Sequence, residues 1–271
     1  MKRYMLIGLV LTGVFTTAAV AECGEGKESG EAKEIVVAVA PGFYPITYVD
    51  DDGNPAGYDV EVMKKADELL EEYNFVYEVV DKEAMNVGVQ TGAYHMGINS
   101  LFKTDERLEI YLMPESNMGY TPVGFIQRED DDITDFDTAV AEGKKVYPIR
   151  AASGIRLIVD AYNKEHEDAP VEYETYSQAN YETLFESIRN GQYDYAVDLI
   201  PVFDLQPENM TAGLKMSDPV AVVPTYPIIN KDESDLCDAV NETLKTLQDN
   251  GTLSEISVDQ FGYDLFKVEA K

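Results

Sequence analysis

Two successive β-α-β-α-β segments, separated and followed by extended crossings, predict an α/β protein of two lobes whose first lobe is discontinuous. The 271 residues are 45% apolar, enough for two modest cores. The first segment runs from Ile35 to Leu101 and the second from Lys145 to Val197. Extended stretches at Tyr120–Gln127 and Ala221–Asn230 would carry the chain into the second lobe and back. The expected lobes are therefore 35–121 plus 224–271, and 122–223 inserted between them.

Each element has a local reason. Ile35 to Ala40 is an unbroken apolar run ending at Pro41-Gly42, the pattern of a strand buried on both faces. Asp50-Asp51-Asp52-Gly53-Asn54-Pro55 is a turn cluster. Val62, Met63, Ala66, Leu69, Leu70 and Tyr73 fall on one helical face. A strand at Phe75–Val80, a helix over 83–92 closed by Gly92, and a strand at Met96–Leu101 complete the unit. The second unit repeats the order without repeating the sequence. It has strands at 145–149, 171–176 and 193–197, with helices marked by Ile155, Ile158 and Tyr162 and by Tyr181, Leu184 and Ile188. A further helix spans 234–248, with Leu236, Val240, Leu244 and Leu247 on its apolar face.

The first 21 residues differ from the rest. A basic start at Lys2-Arg3, an apolar stretch from Met5 to Val14 and the small-residue site Ala19-Val20-Ala21 form a secretory signal. Residues 22–34 lack large apolar side chains and are expected to be a flexible spacer. Export to the periplasm or the outer face of the cytoplasmic membrane follows from the signal. Cys23 lies just past it, where bacterial lipoproteins carry their lipidated cysteine, although Glu22 and Val20 depart from that pattern. Lipidation and membrane tethering at Cys23 compete with simple cleavage after Ala21. Cys237 sits at the edge of a helical apolar stripe and reads as a small hydrophobe. Neither a disulfide framework nor metal-ligand spacing is present, so no metal or cofactor is expected. The net charge of −30 becomes −32 once Lys2 and Arg3 leave, with 19 basic against 51 acidic residues. Such a surface repels phosphates and argues against a nucleic-acid partner.

Four motifs in order resemble the family 3 extracellular solute-binding proteins, the polar-amino-acid group of ABC importers. The first is Pro41-Gly42-Phe43-Tyr44-Pro45, followed by Gly57-Tyr58-Asp59-Val60. The second is the stretch from Gly92-Ala93-Tyr94 to Thr104-Asp105-Glu106-Arg107. The third runs from Asn241 through Gly251-Thr252-Leu253, and the fourth is Phe261-Gly262. The resemblance spans about residues 35 to 265. It implies a type II periplasmic-binding-protein-like fold with two crossing strands as hinge. The ligand, an amino acid or similar small carboxylate, would lie in the cleft and be delivered to an ABC permease.

The same resemblance nominates the ligand-binding residues. Arg107 corresponds to the arginine that pairs with the ligand's α-carboxylate, a task suited to a planar fork of donors. Ser100 matches a position whose backbone and hydroxyl also reach that carboxylate, and Phe102 replaces a hydroxyl residue common there. Phe43 matches the aromatic that stacks on the ligand, with core packing as the alternative role and Tyr44 as the alternative residue. Ser153 opens a helix after Arg150, where it would cap the helix, touch the ligand, or both. Arg150 would meet an acidic ligand side chain or lie at the surface. Asp198 is the candidate for the ammonium group, yet it comes one residue early; a bulge corrects the register or the ammonium site is altered. Ala40 stands where binders of basic amino acids carry an acid, which disfavours a cationic ligand side chain.

No enzyme motif accompanies these residues, and His95 and His166 lack nucleophilic partners in sequence. A dehydratase-type enzyme and a receptor's ligand-binding sensor are the alternatives on this fold. The export reading has a direct test. Protein recovered from its native cell envelope is expected to begin at Glu22 or Cys23 by mass spectrometry, and a diacylglycerol mass on Cys23 distinguishes lipidation from simple cleavage. An intact Met1 overturns the signal.

Overall fold

The computed structural model describes residues 32–270 except Phe43, Ala152 and 177–179, so Cys23 and the signal lie outside the described residues. The strands are β1 Lys33–Val39, β2 Tyr48–Val49, β3 Pro55–Ala56, β4 Tyr73–Val79, β5 Met96–Phe102, β6 Gly119–Arg128, β7 Ile149–Arg150, β8 Thr175–Tyr176, β9 Tyr195–Leu199, β10 Leu214–Met216 and β11 Ala221–Ile229. The helices are α1 Tyr58–Asp67, α2 Lys82–Thr91, α3 Asp105–Ile110, α4 Phe136–Ala141, α5 Gly154–Glu165, α6 Tyr181–Arg189, α7 Ile200–Asp204, α8 Glu208–Thr211, α9 Ser234–Asp249 and α10 Thr252–Phe261.

One curled sheet runs in the order β10-β6-β11-β5-β1-β4, with β9 also paired to β6. β1 lies parallel to both β4 and β5. Its side chains are buried on both faces, as the apolar run predicts. Ile35, Val37 and Val39 pack with α1 and α9 residues such as Val60, Met63 and Val240. Ala38 and Ala40 pack on the other face with Met85 and Val89 of α2. The second lobe repeats the scheme around β6 and β9. Phe125 and Tyr195 face Phe136 and Val159, while Ile126 and Ala196 face Leu184, Phe185 and Ile188 of α6.

The two crossing strands are β6 and β11, antiparallel neighbours that change partners midway. β6 pairs with β11 over Gly119–Val123 and then with β9 over Val123–Gln127. β11 pairs with β6 over Ala221–Thr225 and then with β5 over Thr225–Ile229. Each strand thus belongs to both lobes, which makes the pair the natural hinge.

Some elements are placed differently from the sequence pattern. The first helix begins at Tyr58 rather than near Val62 and stops at Asp67, leaving Leu69 half exposed. Gly57 explains the early start. At φ 111° it admits Tyr58 N–H and Asp59 N–H to the carbonyls of Pro45 and Ile46, and a Cβ there would lie 2.6 Å from both oxygens. The strands expected at 145–149 and 171–176 shrink to the two-residue β7 and β8, with Val146 bridging Tyr195. Their apolar residues Val146, Ile149 and Val171 still join the core, so burial rather than sheet pairing accounts for their pattern.

Tyr58 ties the helical layer to the start of the first crossing. Its buried hydroxyl donates to the Met118 carbonyl at 2.7 Å. Tyr58→Phe leaves that carbonyl unpaired and is expected to lower the free energy of unfolding by about 1–3 kcal/mol. Denaturant titration with an unchanged slope would check it.

Candidate functional site

The site begins with a buried carboxylate. Asp59, in the first turn of α1, is 1% exposed and accepts the Ser100 N–H at 2.6 Å. Burial raises its pKa to about 7, and the Ser100 hydrogen bond opposes that rise. Ser100 sits at φ 46°, the only non-glycine with positive φ among the described residues. It lies in a bulge of β5, where Leu101 pairs with Tyr226 and Gly97 with Ile228, so β5 holds two more residues than β11 across the same span. A bulge re-aims side chains. Here it turns Ser100 toward the cleft, with its hydroxyl 3.2 Å from that of Thr121 on β6. Asn99 also borders the cavity, and its side chain donates to the Ala40 carbonyl at 2.6 Å.

Arg107 follows on α3. Thr104 caps that helix by accepting the Arg107 N–H at 3.1 Å. The guanidinium donates to the Phe102 carbonyl, which anchors one prong and leaves the rest facing the cleft. No carboxylate among the described residues lies within ion-pair distance of it. Burial lowers its pKa, with Tyr111 and Glu106 acting in the opposite direction.

The second lobe supplies the facing wall. Ser153 caps α5, accepting from Arg156 N–H at 3.3 Å and donating to the Arg150 carbonyl at 2.7 Å. Gly154 lets the second lobe approach Phe102 of the first closely. A Cβ there would fall 1.8 Å from the Phe102 ring, so only glycine lets the ring lie on the helix end. Phe102 is therefore an apolar wall, 7% exposed. Asp198 needs no bulge to reach the cleft. β9 keeps an unbroken register against β6, with Asp198 opposite Gly124, and the carboxylate borders the cavity. Asp198 Oδ1 accepts the Leu199 N–H at 2.7 Å, and Tyr181 donates to the same carboxylate. Burial raises the Asp198 pKa to about 6, against these two hydrogen bonds.

Ser100, Arg107, Ser153 and Asp198 thus border a single cavity of about 110 Å³ between the lobes, while Phe43 lies outside the described residues. Sequence reasoning missed Lys82, which opens α2 and reaches the same cavity, and three tyrosines, Tyr147, Tyr176 and Tyr181, from the second lobe. Tyr181 carried a signal, since it was placed on the apolar face of a helix; its neighbour in space, Asp198, is 17 positions away in sequence. Both histidines have structural positions instead. His95 Nδ1 accepts the Val36 N–H at 2.9 Å, and His166 stacks on Tyr162 at the end of α5.

A two-lobed sheet, a hinge of paired strands and a cleft lined by an arginine and a buried aspartate define a solute-binding protein. Residues 35–263 match the pattern of the bacterial extracellular solute-binding proteins, family 3, and the chain belongs to that family. It is 26% identical over 254 residues to the L-cystine-binding protein TcyK of Bacillus subtilis, covering 90% of this chain and 92% of that one. To TcyJ of the same organism, also an L-cystine-binding protein, it is 25% identical over 242 residues, or 89% and 88% of the two chains. Among solved structures, the Bacillus subtilis protein ytmK, described as a probable amino-acid ABC transporter extracellular-binding protein, superposes with a TM-score of 0.72 at 23% identity. It covers 86% of this chain and 99% of that one. No helix among the described residues is long and apolar enough to cross a membrane.

Asp198 gives a pH test of the ligand-free cleft. Its carboxyl ionises near 3.8 in an open chain and near 6 when folded, so the folded protein holds the proton more tightly across that window. The resulting stabilisation is complete below about pH 4 and disappears as pH rises through about 6. Asp198→Asn removes the ionisation and is expected to be more stable than wild type at pH 8 by roughly 1–3 kcal/mol, with little difference at pH 4. Urea titrations of both proteins at the two pH values read this directly.

Proposed function

We propose that this protein is the extracytoplasmic substrate-binding component of an ABC importer and captures an amino acid or similar small carboxylate between its lobes. The observation that carries this reading is the opposed pair of charges in one cleft: Arg107 on the first lobe without a carboxylate partner, and buried Asp198 on the second. A zwitterion supplies the complement to both. Its carboxylate would meet the Arg107 guanidinium and Ser100, with the exposed end of α5 and Ser153 opposite. Its ammonium would meet Asp198 beside Tyr181. Phe43 would cover the ligand from the first lobe. The relatives named as L-cystine-binding proteins support an amino-acid ligand.

The lobes are then 35–121 plus 224–271 and 122–223, closing about β6 and β11, and the closed form is what a permease would recognise. The secretory signal and Cys23 fit delivery outside the cytoplasm, with Cys23 as the candidate tether. Binding without catalysis is the reading proposed, in keeping with the relatives named as binding proteins.

A thermal-shift screen over the common amino acids, L-cystine and small dicarboxylates would identify a ligand, because binding to the native state alone raises apparent stability. Arg107→Ala is then expected to weaken binding by about two to four orders of magnitude, the usual consequence of removing one partner of a buried charge pair. Arg107→Lys restores part of the affinity, because a point charge cannot make the two-pronged contact. Calorimetric titration measures both. Affinity of Arg107→Ala equal to wild type overturns the carboxylate-capture reading.

A further inference from the structure

The chain has 51 acidic and 21 basic residues, yet three cations meet in the cleft without an ion pair among the described residues. Lys82, Arg107 and Arg150 all border the inner cavity of about 110 Å³. All three also border an adjoining open space of about 700 Å³ that leads outward between α2, α3 and the start of α5. They therefore stand at the boundary between the two spaces. Elsewhere in the protein cations readily find acids. Arg128 pairs with Asp131 and Asp194, and Arg156 with Asp160.

Their placement brings burial, like charge and helix ends together. Lys82 is the first residue of α2 and Arg150 comes just before α5, so both lie at the positive end of a helix. Of the two acids that flank Lys82, Asp81 caps α2 by accepting the Ala84 N–H at 2.7 Å, and Glu83 borders the outer space without coming within ion-pair distance of Lys82. Burial lowers the pKa of Lys82, the Arg107 and Arg150 charges lower it further, and Glu83 acts in the opposite direction. Glu83, Asp105 and Glu106 border the outer space, yet no acid among the described residues is within ion-pair distance of the three cations. A half-buried cluster of like charges without direct acid contact is expected where a ligand supplies one.

One carboxylate accounts for Arg107. Lys82 and Arg150 remain, on opposite lobes and at the outer side of the cavity. We infer that Lys82 and Arg150 form a second anion subsite, and that the ligand is an amino acid or small peptide carrying a second carboxylate. The inference rests on the proposed capture of an α-carboxylate by Arg107, and it adds the chemistry of the side chain. Because the two cations come from different lobes, the second carboxylate would bridge the cleft and favour its closed form.

The test uses pairs of ligands that differ only in that group. They are L-glutamate with L-glutamine, L-aspartate with L-asparagine, and L-cystine with the mixed disulfide of L-cysteine and cysteamine. The full chain should bind the dicarboxylate of at least one pair about 10- to 100-fold more tightly than its partner, the size of one or two charge-assisted contacts. In Lys82→Met/Arg150→Met that ratio should fall to about one. Loss of repulsion should leave the ligand-free melting temperature at or above wild type. Arg107→Ala, by contrast, should weaken both members of a pair alike. A wild-type ratio near one in every pair, or a ratio that survives the double substitution, overturns the second subsite. A collapsed ratio together with an indifferent Arg107→Ala keeps the subsite and overturns the α-carboxylate reading instead. Glutarate serves if no amino acid binds. Binding of glutarate that the double substitution abolishes supports the subsite, and no binding of glutarate at millimolar concentration overturns it.

Discussion

The hydrogen bond from Ser100 N–H to the buried Asp59 carboxylate is the contact on which the ligand-facing geometry of the first lobe depends. A serine at positive φ is strained, and a carboxylate without water is costly; each is tolerable because the other is present. The bond braces the β5 bulge that brings Ser100 to the cleft, where Asn99, tied to the Ala40 carbonyl, also borders the cavity. The bulge in turn sets the direction of the Phe102 carbonyl, which anchors Arg107. Two residues that would meet a ligand carboxylate, Ser100 and Arg107, are thus aligned by one acid that does not itself border the cavity. The other Asp59 oxygen, Oδ1, has no hydrogen-bond partner among the described residues, and its elevated pKa reflects that burial.

Charge in this molecule has opposite meanings at two scales. The surface is strongly acidic, which favours solubility and has little to do with what the cleft accepts. Beyond about 8 Å at physiological salt that field is screened. Among the residues lining the inner cavity, the fixed charges are Lys82, Arg107 and Arg150 against the single acid Asp198. A chain with an excess of 30 negative charges therefore presents a locally cationic binding site.

The fold was legible in the sequence because its signals are local. The apolar run at Ile35–Ala40 is a both-faces-buried strand in the structure, and Tyr120–Gln127 and Ala221–Asn230 are the crossing strands β6 and β11. The misread elements were those whose pattern had two physical causes. Val146 and Val171 are apolar because they enter a core, not because they lie in long strands. Of the cleft, the residues carried by a motif were legible: Ser100 and Arg107 belong to one continuous stretch. Asp198 was ambiguous by one register, which only the pairing of β9 with β6 resolves. Lys82 gave no signal at all. It reads as an ordinary charged helix start, and only the packing of α2 beside α3 and α5 brings it to Arg107 and Arg150. Tyr58 and Asp59 were quoted as part of a motif, but their roles beneath β5 and β6 depend on contacts 41 and 60 residues away in sequence.

The two lobes meet at a contact that links shape to chemistry. Phe102 carries both the carbonyl that orients Arg107 and the ring that rests on Gly154. Opening the cleft withdraws the ring from the end of α5 and exposes apolar surface on both sides. It would also separate Lys82 from Arg150, whose charges oppose each other across the cleft. On the proposed closure, the ligand-free protein would be pulled in two directions, closed by the Phe102 contact and open by the cations. An anion between the cations removes the second tendency and leaves the first. In that arrangement the lobes close because of what the ligand neutralises as much as what it touches, and the strands β6 and β11 need only bend.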